Sequence, residues 1–139
     1  MKRQITAVLL MLLAFAGSAM ASKNLPAMPR ILAKARYVYV TAYDGDQVNS
    51  RLLPDDRAAI SRVQDAIQKW GKLTLVYRPE DADIVIAVES RPSEDVLAVY
   101  DTAMFPQTYL WRVMGRGGLQ KGETPLVTQF EQAFEKITN

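Results

Sequence analysis

Apolar positions along this chain alternate, then recur at helical spacing, then run together, and each pattern predicts an element. Residues 36–43 read RYVYVTAY. Tyr37, Tyr39, Thr41 and Tyr43 fall on one face of a strand and Val38, Val40 and Ala42 on the other. Both faces are largely apolar, so the strand is expected to be covered on both sides. Asp44-Gly45-Asp46 then supplies turn residues. A helix follows. Pro54 suits its first position, and Asp55 and Asp56 sit where the helix dipole favours negative charge. Ile60, Val63, Ile67 and Trp70 recur at helical spacing as one apolar stripe, and Gly71 fits the residue just past its end. Ile86 and Trp70 are expected to be core residues joining sheet to helix.

The second half continues the alternation. Residues 73–77 predict a short second strand, followed by the polar turn RPEDAD. Residues 84–88, IVIAV, are continuously apolar and β-branched, the pattern of a strand buried on both faces. Residues 96–100 predict a fourth strand and 109–114, YLWRVM, a possible fifth. The glycine-rich stretch 115–122 reads as a flexible loop. Thr124 and Pro125 then open a second amphipathic helix, with Leu126, Phe130, Phe134 and Ile137 along one stripe.

The order β-α-β-β-β-(β)-α predicts an α/β (α+β) domain: one mixed sheet of four to five strands with two helices on one face. The helical crossover makes the first two strands parallel, in a right-handed connection. The six-residue link 78–83 is too short for a crossover helix, so the third strand is expected antiparallel to the second. The first and third strands are the most apolar. Placing both centrally gives the spatial order 2-1-3-4, with the fifth added at the side.

The amino-terminal end has a different pattern. Lys2 and Arg3 precede an apolar run over 5–16, and Ala19-Met20-Ala21 fits a small-residue cleavage site. The run is shorter than the ~20 residues that span a bilayer. Residues 1–21 are therefore expected to be a removable export signal, with maturation to Ser22 and no transmembrane anchor in the mature chain. Residues 22–35, with Pro26 and Pro29, are expected to form an extended arm, and 36–139 a single domain. The expected location is periplasmic or extracellular.

Charge and composition narrow the functions. The 139-residue chain has 17 Lys+Arg and 15 Asp+Glu. Lys2 and Arg3 lie in the leader, so the mature chain balances at 15 against 15. No global charge draws it to nucleic acid, and no nucleic-acid partner is expected. Cysteine and histidine are both absent. That excludes disulfides, thiol nucleophiles and a Ser-His-Asp triad within the chain.

The motifs YVYV…YDG, a helix ending WG, LVYRPEDADIVIAV, LAVYD and LW, closed by an amphipathic helix, resemble a group of uncharacterised exported bacterial proteins. More loosely, the chain is similar to small α/β domains of the TolB amino-terminal and CsgG-like type. The matching positions are Ala82-Asp83, Asp101 and Leu110-Trp111. The link between the second and third strands departs from those domains in being very short. The resemblance implies an envelope assembly or interaction module and no chemistry.

The residues carry few alternatives. Carboxylates cluster at Asp44 and Asp46, Asp55 and Asp56, Glu80 with Asp81 and Asp83, and Glu94 with Asp95. A pair of them could serve a small carboxylate-based hydrolase, but turns and helix starts account for every one. Asp44, Asp46 and Asn49 offer oxygen ligands, yet Gly45 is misplaced for a calcium loop and no glutamate closes it. No metal and no cofactor is expected. The remaining readings are an exported non-catalytic interaction module, whose expected partner is another envelope protein, and a structural accessory protein without a ligand. A contact site is expected at the carboxyl end of the first strand, where the chain leaves a topological switch point. Tyr43, Asp44 and Asp46 stand there, with Arg78, Glu80 and Asp81 expected to join them from the following turn. The alternative is that Arg78 merely pairs with Asp44 or Asp46.

Overall fold

The computed structural model describes residues 25–46, 48–119 and 124–139. The export signal and its cleavage site lie outside the described residues, as does Gly122. Strands β1 (Tyr37–Ala42), β2 (Thr74–Val76), β3 (Ile84–Ser90), β4 (Asp95–Asp101) and β5 (Trp111–Gly115) form one mixed sheet. Helices α1 (Pro54–Trp70) and α2 (Pro125–Thr138) are the α-helices among the described residues. The strand order is β2-β1-β3-β4-β5, as the placing of the most apolar strands implied. Both helices start at their prolines, and Gly71 ends α1 in the left-handed region at φ 78°. The hydroxyl of Thr124 does not cap α2; its carbonyl instead accepts from Val127 and Thr128 N–H.

One expectation on direction is overturned. β1 pairs in parallel with both β2 and β3, so β2 and β3 run the same way. The reason is the length of β2. Its last residue, Val76, lies level with Tyr39, and the first residue of β3, Ile84, lies level with Val38. The chain has only about one strand residue to descend, and a long crossover is unnecessary. A short 3-10 turn, Pro79–Asp81, makes the return. Asp83 then fastens it, its carboxylate accepting from the N–H groups of Arg36 at 2.9 Å and Tyr37 at 3.0 Å.

The principal core lies between the sheet and the two helices. Val38, Val40, Ile84, Ile86, Val88, Leu97, Val99, Trp111 and Val113 project inward against Ile60, Val63 and Ile67 of α1 and Leu126, Phe130 and Phe134 of α2. Trp70 is half-buried and has a different task from the sheet-to-helix role expected of it. It meets Phe130 at 5.9 Å and Phe134 at 5.5 Å, both edge-on, so it joins helix to helix.

Residues 25–35 are more than an extended arm. Arg30–Lys34 forms a 3-10 turn, Met28 and Leu32 are buried in the core, and Pro26 accepts a 2.9 Å hydrogen bond from Trp111 Nε1. The segment packs because its apolar residues reach the seam between β5 and α2. Its prolines obscured that in the sequence, since two apolar residues show no period.

Two acids read as helix-start and turn residues also hold the tertiary fold. Asp56 is buried and accepts from Ser90 N–H at 2.9 Å, tying α1 to the end of β3. Asp95 is buried and accepts from Leu119 N–H at 2.9 Å.

Candidate functional site: the outer sheet face

Both helices pack on the inner face, and the outer face is built from transverse rows fixed by strand register. Tyr39, Val85 and Tyr100 form one row; Thr41, Ala87, Ala98 and Arg112 form the next; Glu89, Val96 and Met114 form a third. The middle row has two alanines at its centre. Small side chains between larger ones make a dip, and a trough of about 390 Å³ lies there. That size is in the range of small-molecule sites. Val85, Ala87, Ala98 and Tyr100 are buried beneath partly buried Tyr39 and Phe105. The cover expected on the second face of β1 and β3 thus comes from aromatic side chains, and it leaves Tyr37 and Tyr43 exposed.

The walls come from three places. Tyr43 and Asp44 follow the carboxyl end of β1, where Tyr43 N–H donates to Val88 O. Glu89 and Arg91 stand at the β3–β4 turn. Pro106, Gln107 and Tyr109 come from the segment between β4 and β5. That segment is held by Asp101, which accepts from Ala103 N–H, by Thr102, whose hydroxyl donates to Ala82 O, and by Leu110 N–H on Val99 O. Its aromatic rings pack edge-on: Tyr100 to Phe105 at 5.0 Å and Tyr100 to Tyr109 at 6.5 Å. The Arg112 guanidinium lies 4.8 Å over the Tyr109 ring, a favourable cation–π distance.

The charges of the trough are unequally engaged. Glu89 is gripped by Arg91 through two contacts of 2.9 Å. Arg112 has no ion pair among the described residues. Burial raises the Tyr100 phenol above its ordinary pKa. Tyr43, Tyr109 and Glu89 push it the same way, while Arg112 pulls it down. Tyr100 therefore remains a protonated donor at neutral pH. Tyr39 is raised by burial too, against the lowering effect of the neighbouring Thr41 hydroxyl.

The six residues expected at one site are divided. Tyr43 and Asp44 line the trough. Asp46 builds the following turn, accepting from Val48 and Asn49 N–H at 3.1 and 3.2 Å. Arg78, Glu80 and Asp81 belong to the link that starts β3 beside the amino end of β1. Arg78 lies 3.8 Å from Glu80 and 3.3 Å from Asp81, so it serves its own turn and pairs with neither Asp44 nor Asp46. The separation has the same cause as the strand direction: β2 is too short to carry the link to the far end of the sheet. Sequence reasoning missed Glu89, Arg91, Tyr100, Tyr109 and Arg112 as neighbours. The available signal was the pair Ala87 and Ala98, small residues inside two otherwise bulky strands.

No family model and no curated protein matches the chain. Among solved structures, it is similar to a PelC variant dodecamer from Paraburkholderia phytofirmans. Identity is 17%, coverage is 80% of this chain and 94% of that chain, and the TM-score is 0.44. No helix among the described residues is long and apolar enough to cross a membrane.

Proposed function

We propose that this protein is an exported, non-catalytic domain that works as an interaction module of the cell envelope, through the outer face of its sheet. The observation that carries the reading is the trough together with its exposed rim: Tyr43 is 55% exposed and Tyr109 46%, with Met114 of the adjacent outer row also exposed. Exposed aromatic residues grouped on one face mark contact surfaces more than structural ones. The resemblance to exported envelope domains supports the same role.

The carboxylates also favour binding over hydrolysis. Asp46, Asp56, Asp83, Asp95 and Asp101 each accept a backbone N–H. In the trough, both carboxylate oxygens of Glu89 are engaged by Arg91, which ties the group into a local pair.

Export and recognition are tested separately. Intact-mass measurement of the exported protein should give a chain starting at Ser22. A mass retaining residues 1–21 would overturn cleavage. For recognition, immobilised protein should recover a partner from its own envelope fraction. A variant carrying Tyr43→Ala with Tyr109→Ala should lose that recovery while Tyr77→Ala retains it. Equal recovery by all three proteins would place the contact elsewhere.

A further inference from the structure

The trough has the composition of a site for one acidic group. Register puts Arg112 beside Ala98, at the end of the row that forms the floor. One side of its guanidinium rests on Tyr109, which leaves the N–H edge of the planar group available. That edge matches the two oxygens of a carboxylate. The phenols of Tyr43, Tyr100 and Tyr109 line the same trough and add hydroxyl donors. The other cation, Arg91, is already committed to Glu89.

We propose that the trough binds a monoanionic carboxylate, held by the Arg112 guanidinium and the neighbouring tyrosine hydroxyls, with a compact apolar body over Ala87 and Ala98. The inference rests on the reading of the outer face as the contact surface, and it deepens that reading by naming the ligand chemistry. The charge count selects a monoanion. Arg112 offers one positive charge without an ion-pair partner among the described residues. Asp44 lies on the opposite side of the trough, beyond β3 and β4. A dianion such as a phosphate ester would bring a second negative charge toward Asp44, with Arg91 already paired to Glu89 and no second unpaired cation among the described residues that line the trough. The floor selects the body, since Ala87, Ala98 and Val96 present methyl groups and no polar atoms of their side chains.

Ligand-observed NMR with three small probes tests the assignment: benzoate, its neutral near-isostere benzamide, and phenyl phosphate. Benzoate should bind in the millimolar range or better, with at least about a tenfold advantage over benzamide, the size of effect expected from one charge-assisted contact. Phenyl phosphate should bind more weakly than benzoate above pH 7. Arg112→Gln should erase the advantage, and Tyr100→Phe should reduce benzoate affinity several-fold; both should keep a cooperative melting curve within a few degrees of wild type, the Arg112 variant losing its contact with Tyr109. Equal binding of benzoate and benzamide, preference for phenyl phosphate, or indifference to Arg112→Gln would overturn the proposal. If Tyr43→Ala with Tyr109→Ala abolishes partner recovery while benzoate ignores Arg112, the carboxylate assignment alone fails. If benzoate binds as expected but partner recovery ignores the outer face, the interaction reading fails instead.

Discussion

Asp83 and Tyr37 hold each other at both ends of the peptide: the Asp83 N–H donates to Tyr37 O at 2.9 Å, and the Asp83 carboxylate accepts from Tyr37 N–H at 3.0 Å. The same carboxylate accepts from Arg36 N–H. This clasp sets where β3 begins against β1, and it completes the unusually short return from β2. Asp83→Ala should cost about 1–2 kcal/mol, because two backbone donors lose a charged acceptor and water replaces it only in part. Asp83→Asn should cost less, since its carbonyl oxygen still accepts. Urea unfolding measures both; a loss below about 0.5 kcal/mol for the alanine variant would show that solvent serves equally well.

Ile86 and Trp70 should separate by depth. Ile86 is fully buried at the centre of the sheet, and Ile86→Ala should cost about 2–5 kcal/mol. Trp70→Ala should fall in the lower part of that range, because the ring is half-buried and its loss opens a seam instead of an enclosed cavity. Trp70→Phe should keep most of the edge-on packing while losing the 3.0 Å bond from Nε1 to Glu135. Thermal and urea melts read the order: Ile86→Ala lowest, Trp70→Ala next, Trp70→Phe highest.

Gly118 is a position where only glycine fits. A Cβ there would strike the Leu126 side chain, with Cδ1 at 2.7 Å, and the Gly118 carbonyl accepts from Leu126 N–H at 3.2 Å. The backbone is pinned against the start of α2, and Leu126 is itself fully buried. Gly118→Ala should cost about 1–3 kcal/mol through overpacking. Combined with Leu126→Ala, it should cost less than the sum of the two single losses, because the truncated side chain no longer meets the added methyl, a coupling visible in a double-mutant cycle.

Two glutamates on α2 should give opposite pH dependences. The hydrogen bond from Trp70, then that from Lys72, lowers the pKa of Glu135. Its contribution to stability is present above the ordinary glutamate pKa and is lost as pH falls through the lowered folded value. Burial, then the charge of Glu135, raises the pKa of Glu131. Its contribution is present below the ordinary value and is lost as pH rises through the raised one. At neutral pH, Glu131→Gln should therefore raise the melting temperature by up to a few degrees, and Glu135→Gln should lower it. Near pH ~3, where both carboxyls are largely protonated in the unfolded chain, the Glu131→Gln gain should vanish. A gain independent of pH would mean that the substitution acts through packing.

The elements were legible in the sequence because their causes are local. The α1 stripe at Ile60, Val63, Ile67 and Trp70, the proline that starts each helix, Gly71, and the alternation in β1 all act within a few residues. Even the central places of β1 and β3 followed from composition, since strands with neighbours on both sides carry the most apolar runs. Direction and neighbourhood were decided elsewhere. That β3 runs with β2 depended on a strand of three residues ending level with Tyr39, a matter of register and not of residue type. The candidate site depended on the same kind of fact. Tyr43 and Asp44 reached the trough because they leave the strand at its edge. Arg78, Glu80 and Asp81 did not, because the short return kept them at the other end of β1. Arg112 came to lie beside Ala98 and Ala87 through two antiparallel pairings, between residues that the linear pattern treats as unrelated.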